Sequence, residues 1–500
     1  MYLVIQVRAI GLSPAIRRRL DKKNFRDSAF FALVRGMEEF LAAYQTHERE
    51  SFFEKASRFR MIVWECRREL IQVHKHLDEY GVSIGLVFQM MRLRAYLQRI
   101  DSLIEILINE KVDCKKVTGF VANLVAENQD LRSVGSILSQ NVSFLARKLV
   151  ERAAETGEHY ITRTKAEYRK MLQAACGGGA VTGLTVYVKF ALLTLGLSAF
   201  MEGFSASINY SVSFVIIHLM GFTLATKQPA MTAPALAEKM QNVDSEEGLN
   251  ELVTEIVHLI RSQVCAVFGN VMFVVPVVLL IDTLYSLLFG GHILGEAKAL
   301  YSFHSVDILG PSIIFASFTG VLLWISSLAA GWGDNWFALN SLKKRLSRSP
   351  TLVTIFGKRG ARKMSLFFEK NMSGLCGNIT LGILLGMVPV VMKFLGIPLD
   401  VRHVTLSSGS LAAAIPVLGV DFLSTSTFWR AVAGIAIIGP LNLLVSFAMA
   451  FMLAIKARSI NTPQRRAIRK ALRQRFFANP LSFVLPVGST IQTKSSNHGH

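Results

Sequence analysis

The sequence predicts an all-α polytopic membrane protein, with six transmembrane helices, one re-entrant segment and an N-terminal cytoplasmic helical domain. Three observations predict it. Several apolar runs reach the ~20 residues that cross the hydrocarbon core of a bilayer, in a chain of 500 residues of which 51% are apolar. The chain ahead of those runs is charged and carries apolar residues at helical spacing. The basic charge is blocked rather than spread: residues 1–170 hold 29 Lys+Arg against 21 Asp+Glu, 341–370 hold nine against one, and 456–500 hold nine against none, while 171–340 hold five against eleven. Lys and Arg beside membrane segments stay in the cytoplasm, so all three basic blocks and both termini are expected there. The net charge of +20 also suits nucleic acid, but the side rule accounts for it without a ligand.

Residues 1–170 form the expected cytoplasmic domain. Leu93, Leu97, Ile100, Ile104 and Leu107 repeat at i, i+4, i+7, i+11 and i+14, giving one apolar stripe. Tyr80-Gly81-Val82-Ser83 and the Asp113 to Gly119 region read as breaks between helices. The membrane domain, 171–458, has spans expected near 177–200, 208–225, 264–289, 309–330, 375–395 and 431–455. The first follows Gly177, Gly178 and Gly179 and carries Lys189. Asp244, Glu246 and Glu247 start the helix that leads into the third. Residues 459–500 are a basic tail whose helix has Ala467, Ile468, Ala471 and Leu472 on one side, suited to lying on anionic lipid.

Between the last two spans, residues 406–420 are short, rich in Ser and Gly, and broken by Pro416. A seventh crossing there would put the basic tail opposite the N-terminal domain, so re-entry is expected, with its irregular backbone buried by protein. An internal repeat agrees with this parity. Gly310-Pro311 with Ser317-Phe318 recurs as Gly439-Pro440 with Ser446-Phe447, and Cys176, Cys265 and Cys376 each sit near glycine at the start of an outbound helix, with Gly269-Asn270 and Gly377-Asn378 in two of them. Three helix pairs of common orientation are the expected repeat.

Five cysteines without a CxxC pair, and no histidine cluster at metal spacing, point to no disulfide framework, no metal site and no cofactor. The first residues lack a cationic stretch followed by an apolar one, so no cleavable signal peptide is expected.

Four blocks carry a resemblance. They are Val73-His74-Lys75-His76-Leu77 with Tyr80-Gly81-Val82-Ser83 and Arg92-Leu93-Arg94; Gly157-Glu158-His159-Tyr160-Ile161-Thr162-Arg163; Leu224-Ala225-Thr226-Lys227-Gln228-Pro229-Ala230-Met231-Thr232-Ala233-Pro234; and Val401-Arg402-His403-Val404-Thr405-Leu406-Ser407. Together they resemble a bacterial transmembrane family named for site-specific recombination, from about residue 15 to the tail. The resemblance implies a bacterial inner-membrane protein and, by the family's name, a role on DNA.

Strand exchange needs a Tyr or Ser nucleophile with Arg and His groups around the phosphate. The H-x-x-R here is His258-Leu259-Ile260-Arg261, and the next tyrosine, Tyr285, stands at the far end of a span. Nucleophile, base and orienter do not appear together, so the sequence leaves enzymatic activity undecided. It favours a transport or structural role with an anion- or head-group-binding cytoplasmic face, formed by His159, Tyr160, Arg163, Thr226, Lys227, Gln228 and Thr232; the alternative for Arg163 and Lys227 is anchoring at lipid phosphates. The second candidate set is the intramembrane polar residues Lys189, His218, Asp282, Arg402 and His403, with Lys393 near a boundary where it can snorkel. Asp282 is expected to pair with Lys189 or Lys393, or to line a polar path. Arg402 and His403, followed by Ser407, Ser408, Gly409 and Ser410, are expected at a cavity mouth or in a packed loop. Anionic lipid is the expected partner and DNA the alternative. Oligomeric state is not legible.

Overall fold

The computed structural model describes residues 1–20, 24–46, 49–76, 83–108, 114, 117–122, 124–125, 161–225, 232–233, 236, 245–458 and 462–486, and among these it is helical without strands. The chain divides into two compact units, Met1–Lys148 with Asn335–Ser365, and Leu149–Asp334 with Leu366–His500.

In the first unit, helices α1 (Tyr2–Gly11), α2 (Pro14–Arg17), α3 (Ala29–Thr46), α4 (Arg49–Lys75) and α5 (Ile84–Ile108) enclose Phe30, Leu33, Phe40, Phe59, Val63, Leu93 and Leu97. Of the stripe read from the sequence, Leu93, Leu97, Ile100 and Ile104 are buried and Leu107 is exposed. Ser83 starts α5 by accepting from Leu86 N at 3.2 Å, while residues 77–82 lie outside the described residues. Buried Glu69 on α4 accepts from Ser28 Oγ at 2.6 Å and Ala29 N at 2.9 Å, which places a carboxylate at the positive end of α3.

The second unit is built from α6 (Lys165–Leu193), α7 (Ala199–Leu219), α8 (Glu246–Phe289), α9 (Glu296–His304), α10 (Ser312–Leu339), α11 (Leu342–Ser347), α12 (Pro350–Phe394), α13 (Val404–Leu418), α14 (Ser426–Arg458) and α15 (Thr462–Ala478), with α11 and parts of α10 and α12 belonging to the first unit. Six of these, α6, α7, α8, α10, α12 and α14, are long and apolar enough to cross a bilayer. α13, at 15 residues, falls short of the ~20 a crossing needs. It is nonetheless largely buried, with Ala412, Ala413 and Ala414 in the core among Val186, Val274, Phe303 and Ile438.

Local chemistry sets the ends. Thr164 and Glu167 form a capping box that starts α6. The turn between α6 and α7 lies at residues 194–198, earlier than the boundary near 200–208 read from hydropathy. Gly196 takes a left-handed φ of 61° and Ser198 caps α7; Leu195 and Leu197 keep the turn apolar, which hides it from a hydropathy window. Ser245 caps α8 and Gly290, φ 70°, ends it. Gly357, φ 69°, interrupts α12.

Small residues bring the long helices together. On α7 and α12, Ser207 Oγ donates to Ile383 O at 3.3 Å and Ser211 Oγ to Ile379 O at 3.1 Å, with Gly382 and Gly386 leaving room for the Ser211 and Ser207 backbones. In the helix of the tail, one residue of the apolar side packs inward. Ile468 is buried with Leu236, Leu252 and Phe451, which leaves Arg469, Lys470, Arg473 and Arg475 on the exposed side.

Candidate functional site

The residues at one end of the second unit enclose a cavity of about 430 Å³, within the usual range for small-molecule sites. Its wall comes from the last turns of α6 (Lys189, Leu193), the first of α7 (Glu202, Tyr210), α9 (Lys298, Tyr301, Ser302) and its C-cap Ser305, α12 (Gly386, Pro389), the strap 400–403 and the start of α13 (Ser407, Ser410). Three cationic side chains, Lys189, Lys298 and Arg402, face two carboxylates, Glu202 and Asp400.

Gly396, φ 71°, closes α12, and the chain then runs through Asp400 to the start of α13. Arg402 fixes this strap. Its Nη1 donates to Asp400 Oδ2 and to Val401 O, both at 2.7 Å, and its Nε to Ser305 O at 2.6 Å. Its backbone N donates to Thr319 Oγ1 at 2.7 Å, and its guanidinium lies 5.3 Å from the Phe315 ring centroid. None of these donations uses Nη2. His403 is 2% exposed and accepts from Ser407 N at 2.9 Å through its carbonyl.

Asn442 on α14 completes the support. Its Oδ1 accepts from Val404 N at 3.1 Å, and its Nδ2 donates to Arg402 O and Ala316 O, both at 2.9 Å. Asn270 on α8 makes the same three bonds elsewhere: Oδ1 accepts from Ala225 N at 3.0 Å, and Nδ2 donates to Thr223 O at 2.8 Å and Ala175 O at 2.7 Å. Each asparagine bridges residues i and i+2 of a chain leaving a long helix to a carbonyl on another long helix. Gly179, four residues beyond Ala175, lets α6 approach Asn270 O, and Gly320, four beyond Ala316, lets α10 approach Asn442 O.

Beside the cavity, α14 docks against residues 306–308. Arg430 pairs with Asp307, and the hydrogen bonds from Arg430 hold the Asp307 carboxyl below the usual carboxylate range.

The intramembrane candidates separate. Lys189, Arg402 and His403 line the cavity. His218 instead fills the notch at Gly374 on α12. Asp282 does not pair with Lys189 or Lys393: it accepts from Tyr187 Oη at 2.5 Å and is 2.8 Å from His292 Nδ1. Those partners are closer because Tyr187 faces α8 while Lys393 is exposed near the end of α12. Of the cytoplasmic-face candidates, Arg163 pairs with Glu255 at 2.9 Å and Thr232 is fully buried. His159, Tyr160, Thr226, Lys227 and Gln228 lie outside the described residues, as does most of the polar cap after α7. Among the described residues no group of His, Cys, Asp or Glu could hold a metal.

Sequence reasoning missed Glu202, Lys298 and Tyr301 in the cavity wall, and His292 beside Asp282. α9 gave no signal because it is a single short helix between two apolar runs. In the H-x-x-R motif, Arg261 is committed to structure. Arg261 is 3% exposed and donates from Nη2 to Thr162 O at 2.8 Å, while Ser262 Oγ accepts from Thr162 N at 2.8 Å. Tyr285 lies 24 residues further along the same helix, ~36 Å at helical rise.

No curated protein and no solved structure matches the chain. A family model described as site-specific recombinase matches residues 1–486. The resemblance carried by the four blocks thus extends over nearly the whole chain, which belongs to the site-specific recombinase family.

Proposed function

We propose that the chain is a membrane transport protein whose cavity takes a small oxyanion, a carboxylate, phosphate or phosphate-bearing head group. The observation that carries this reading is the cavity itself, set between three of the long helices, α9 and the start of α13, with Lys189, Lys298, Arg402 and four serines in its wall. Three cations against two carboxylates, one of them already neutralised by Arg402, favour an anionic occupant, and hydroxyls supply its remaining hydrogen bonds.

The paired asparagines support the same reading. If all six long helices cross, α6, α7 and α8 are crossings one to three, and α10, α12 and α14 are crossings four to six. Asn270 ties α8 to α6 and to the chain leaving α7; Asn442 ties α14 to α10 and to the chain leaving α12. The two sets run in opposite directions across the membrane, so the repeat that fits these contacts is an inverted pair of three helices. It matches Asn270 with Asn442, whereas three pairs of common orientation would match it with Asn378. α7 and α12, the middle helices, meet through Gly203 and Gly386, as an axis in the membrane plane requires. Inverted repeats with a discontinuous helix at the substrate site are a recurring transporter plan, and α13 is that helix, re-entering beside the cavity. The basic segments, including the exposed Arg469, Lys470, Arg473 and Arg475, then face anionic lipid in the cytoplasm of a bacterial inner membrane.

The test is a solid-supported-membrane recording from proteoliposomes, challenged with phosphate, acetate, succinate and glycerol phosphate. At least one is expected to give a current that falls tenfold or more in Arg402→Gln, which keeps the length of the side chain and removes the charge. The absence of current across all four in the unmodified protein contradicts the reading.

A further inference from the structure

The cavity leaves a buried ionisable cluster on α8 unused. Asp282 sits in the last third of α8, its side chain 1% exposed, yet it is shared between two partners on other segments: the Tyr187 hydroxyl on α6 at 2.5 Å and His292 Nδ1 at 2.8 Å, with the His292 side chain 33% exposed. The Tyr187 hydroxyl donates to the carboxylate, and a carboxylate that only accepts takes the second hydrogen bond from Nδ1–H of His292. Among the described residues, Tyr187 from α6 and His292 from the following segment contact the carboxylate, and Tyr285 from its own helix lies beside Tyr187, the two ring centroids 6.3 Å apart. α13, which also packs on α8, carries no ionisable side chain between Val404 and Leu418. No lysine or arginine is among these groups.

We propose that Asp282, Tyr187 and His292 form a proton-binding site whose occupancy is coupled to the anion cavity. A proton from water adds to His292 Nε2 through the exposed part of the ring. Nδ1–H stays on the carboxylate, and the buried cluster changes from a single negative charge to a neutral ion pair. No other reactant is needed. Imidazole is the side chain whose charge changes between mildly acidic and neutral pH, and its exposed edge gives the buried carboxylate a route to water.

The link to the cavity is covalent and short. His292 lies between the end of α8 at Phe289 and the start of α9 at Glu296, and α9 supplies Lys298, Tyr301 and Ser302 to the cavity wall. On α6, Tyr187 is two residues from Lys189, also in that wall. Charging the pair tightens the hold of α8 on the segment that leads into α9; discharging it loosens that hold. The coupling rests on the cavity reading, whereas proton binding stands without it.

The experiment uses purified full-length chain in nanodiscs, in two arms. In the first, proton uptake after a drop from mildly alkaline to mildly acidic pH is followed with an indicator dye in unbuffered solution, with no solute present. His292→Gln is expected to take up about one proton fewer per chain than the unmodified protein, and Asp282→Asn, which keeps the imidazole but removes its counter-charge, to complete its uptake only at more acidic pH. His292→Gln changes a partly exposed residue and keeps a donor, so it preserves the fold if Asp282→Asn does not. Equal uptake by the unmodified chain and His292→Gln overturns the proton site. In the second arm, the oxyanion current is compared at both pH values; a pH dependence lost in His292→Gln supports coupling, and one that is unchanged overturns it. A transport failure shows as silence in the second arm only, so the two proposals fail separately.

Discussion

Asn442→Ala is expected to destabilise the protein by about 3–5 kcal/mol, and Asn270→Ala by a similar amount. Each amide satisfies one buried N–H and two buried carbonyls, both side chains are fully buried, and each backbone group stranded by the truncation costs about 1–3 kcal/mol. Both amides are wholly inside the protein, away from solvent that could replace the lost bonds. Thermal melts in detergent, followed by size-exclusion chromatography, measure the effect. Asn209→Ala is the control: its amide makes one bond, to Thr185 O at 2.9 Å, and its loss is expected to cost about 1 kcal/mol. Similar losses at 270 and 442, both well above that at 209, support the matched roles on which the inverted repeat rests.

The second large effect is steric. A Cβ at Gly434 would stand 1.8 Å from Val306 O, and one at Gly178 would stand 2.2 Å from Thr223 O. Both obstacles are backbone, which no rotamer change can move. Gly434→Ala and Gly178→Ala are expected to cost about 3 kcal/mol each, the upper part of the overpacking range, and to lower the yield of folded protein. Gly295→Ala, where nothing lies within 4 Å, is expected to leave melting unchanged. In the same melts, a Gly434→Ala protein as stable as Gly295→Ala would show that α14 does not dock on residues 306–308.

Much of the fold was legible because long apolar runs and a 3.6 period report burial directly. The stripe from Leu93 to Ile104 is the core of the first unit, and each of the six spans has its helix. What misled was an apolar turn: hydropathy averages over Leu195 and Leu197 and carries past the break that Gly196 makes. The site was legible in part. Arg402, His403 and the serines at 407 and 410 are charged or polar where an apolar residue is the rule, so they announce themselves. Asn270 and Asn442 do not, because an asparagine in a helix looks the same whether it faces solvent or ties together segments distant in the sequence. The Asp282 pairing was misread for a related reason. Charge complementarity points to lysines, but distance selects a tyrosine and a histidine, and His292 follows Gly290-Gly291 with no spacing that links it to Asp282.

The glycines at 177, 178 and 179 gain a reason beyond entry into the bilayer. Gly178 faces Thr223 O and Gly179 faces Asn270 O, so the run is where α6, α8 and the chain leaving α7 come close enough for one asparagine to bridge them.

The most direct measurement is the side from which the cavity is reached. In a chain with its five native cysteines replaced, Ser302→Cys in the cavity wall and Lys344→Cys in the basic loop are probed with a membrane-impermeant thiol reagent. Ser302→Cys is expected to react in intact cells and Lys344→Cys only after the membrane is opened. Reaction of both from the same side would contradict six crossings, which put α9 and the turn between α6 and α7 on the side of the membrane opposite the basic loop between α10 and α12.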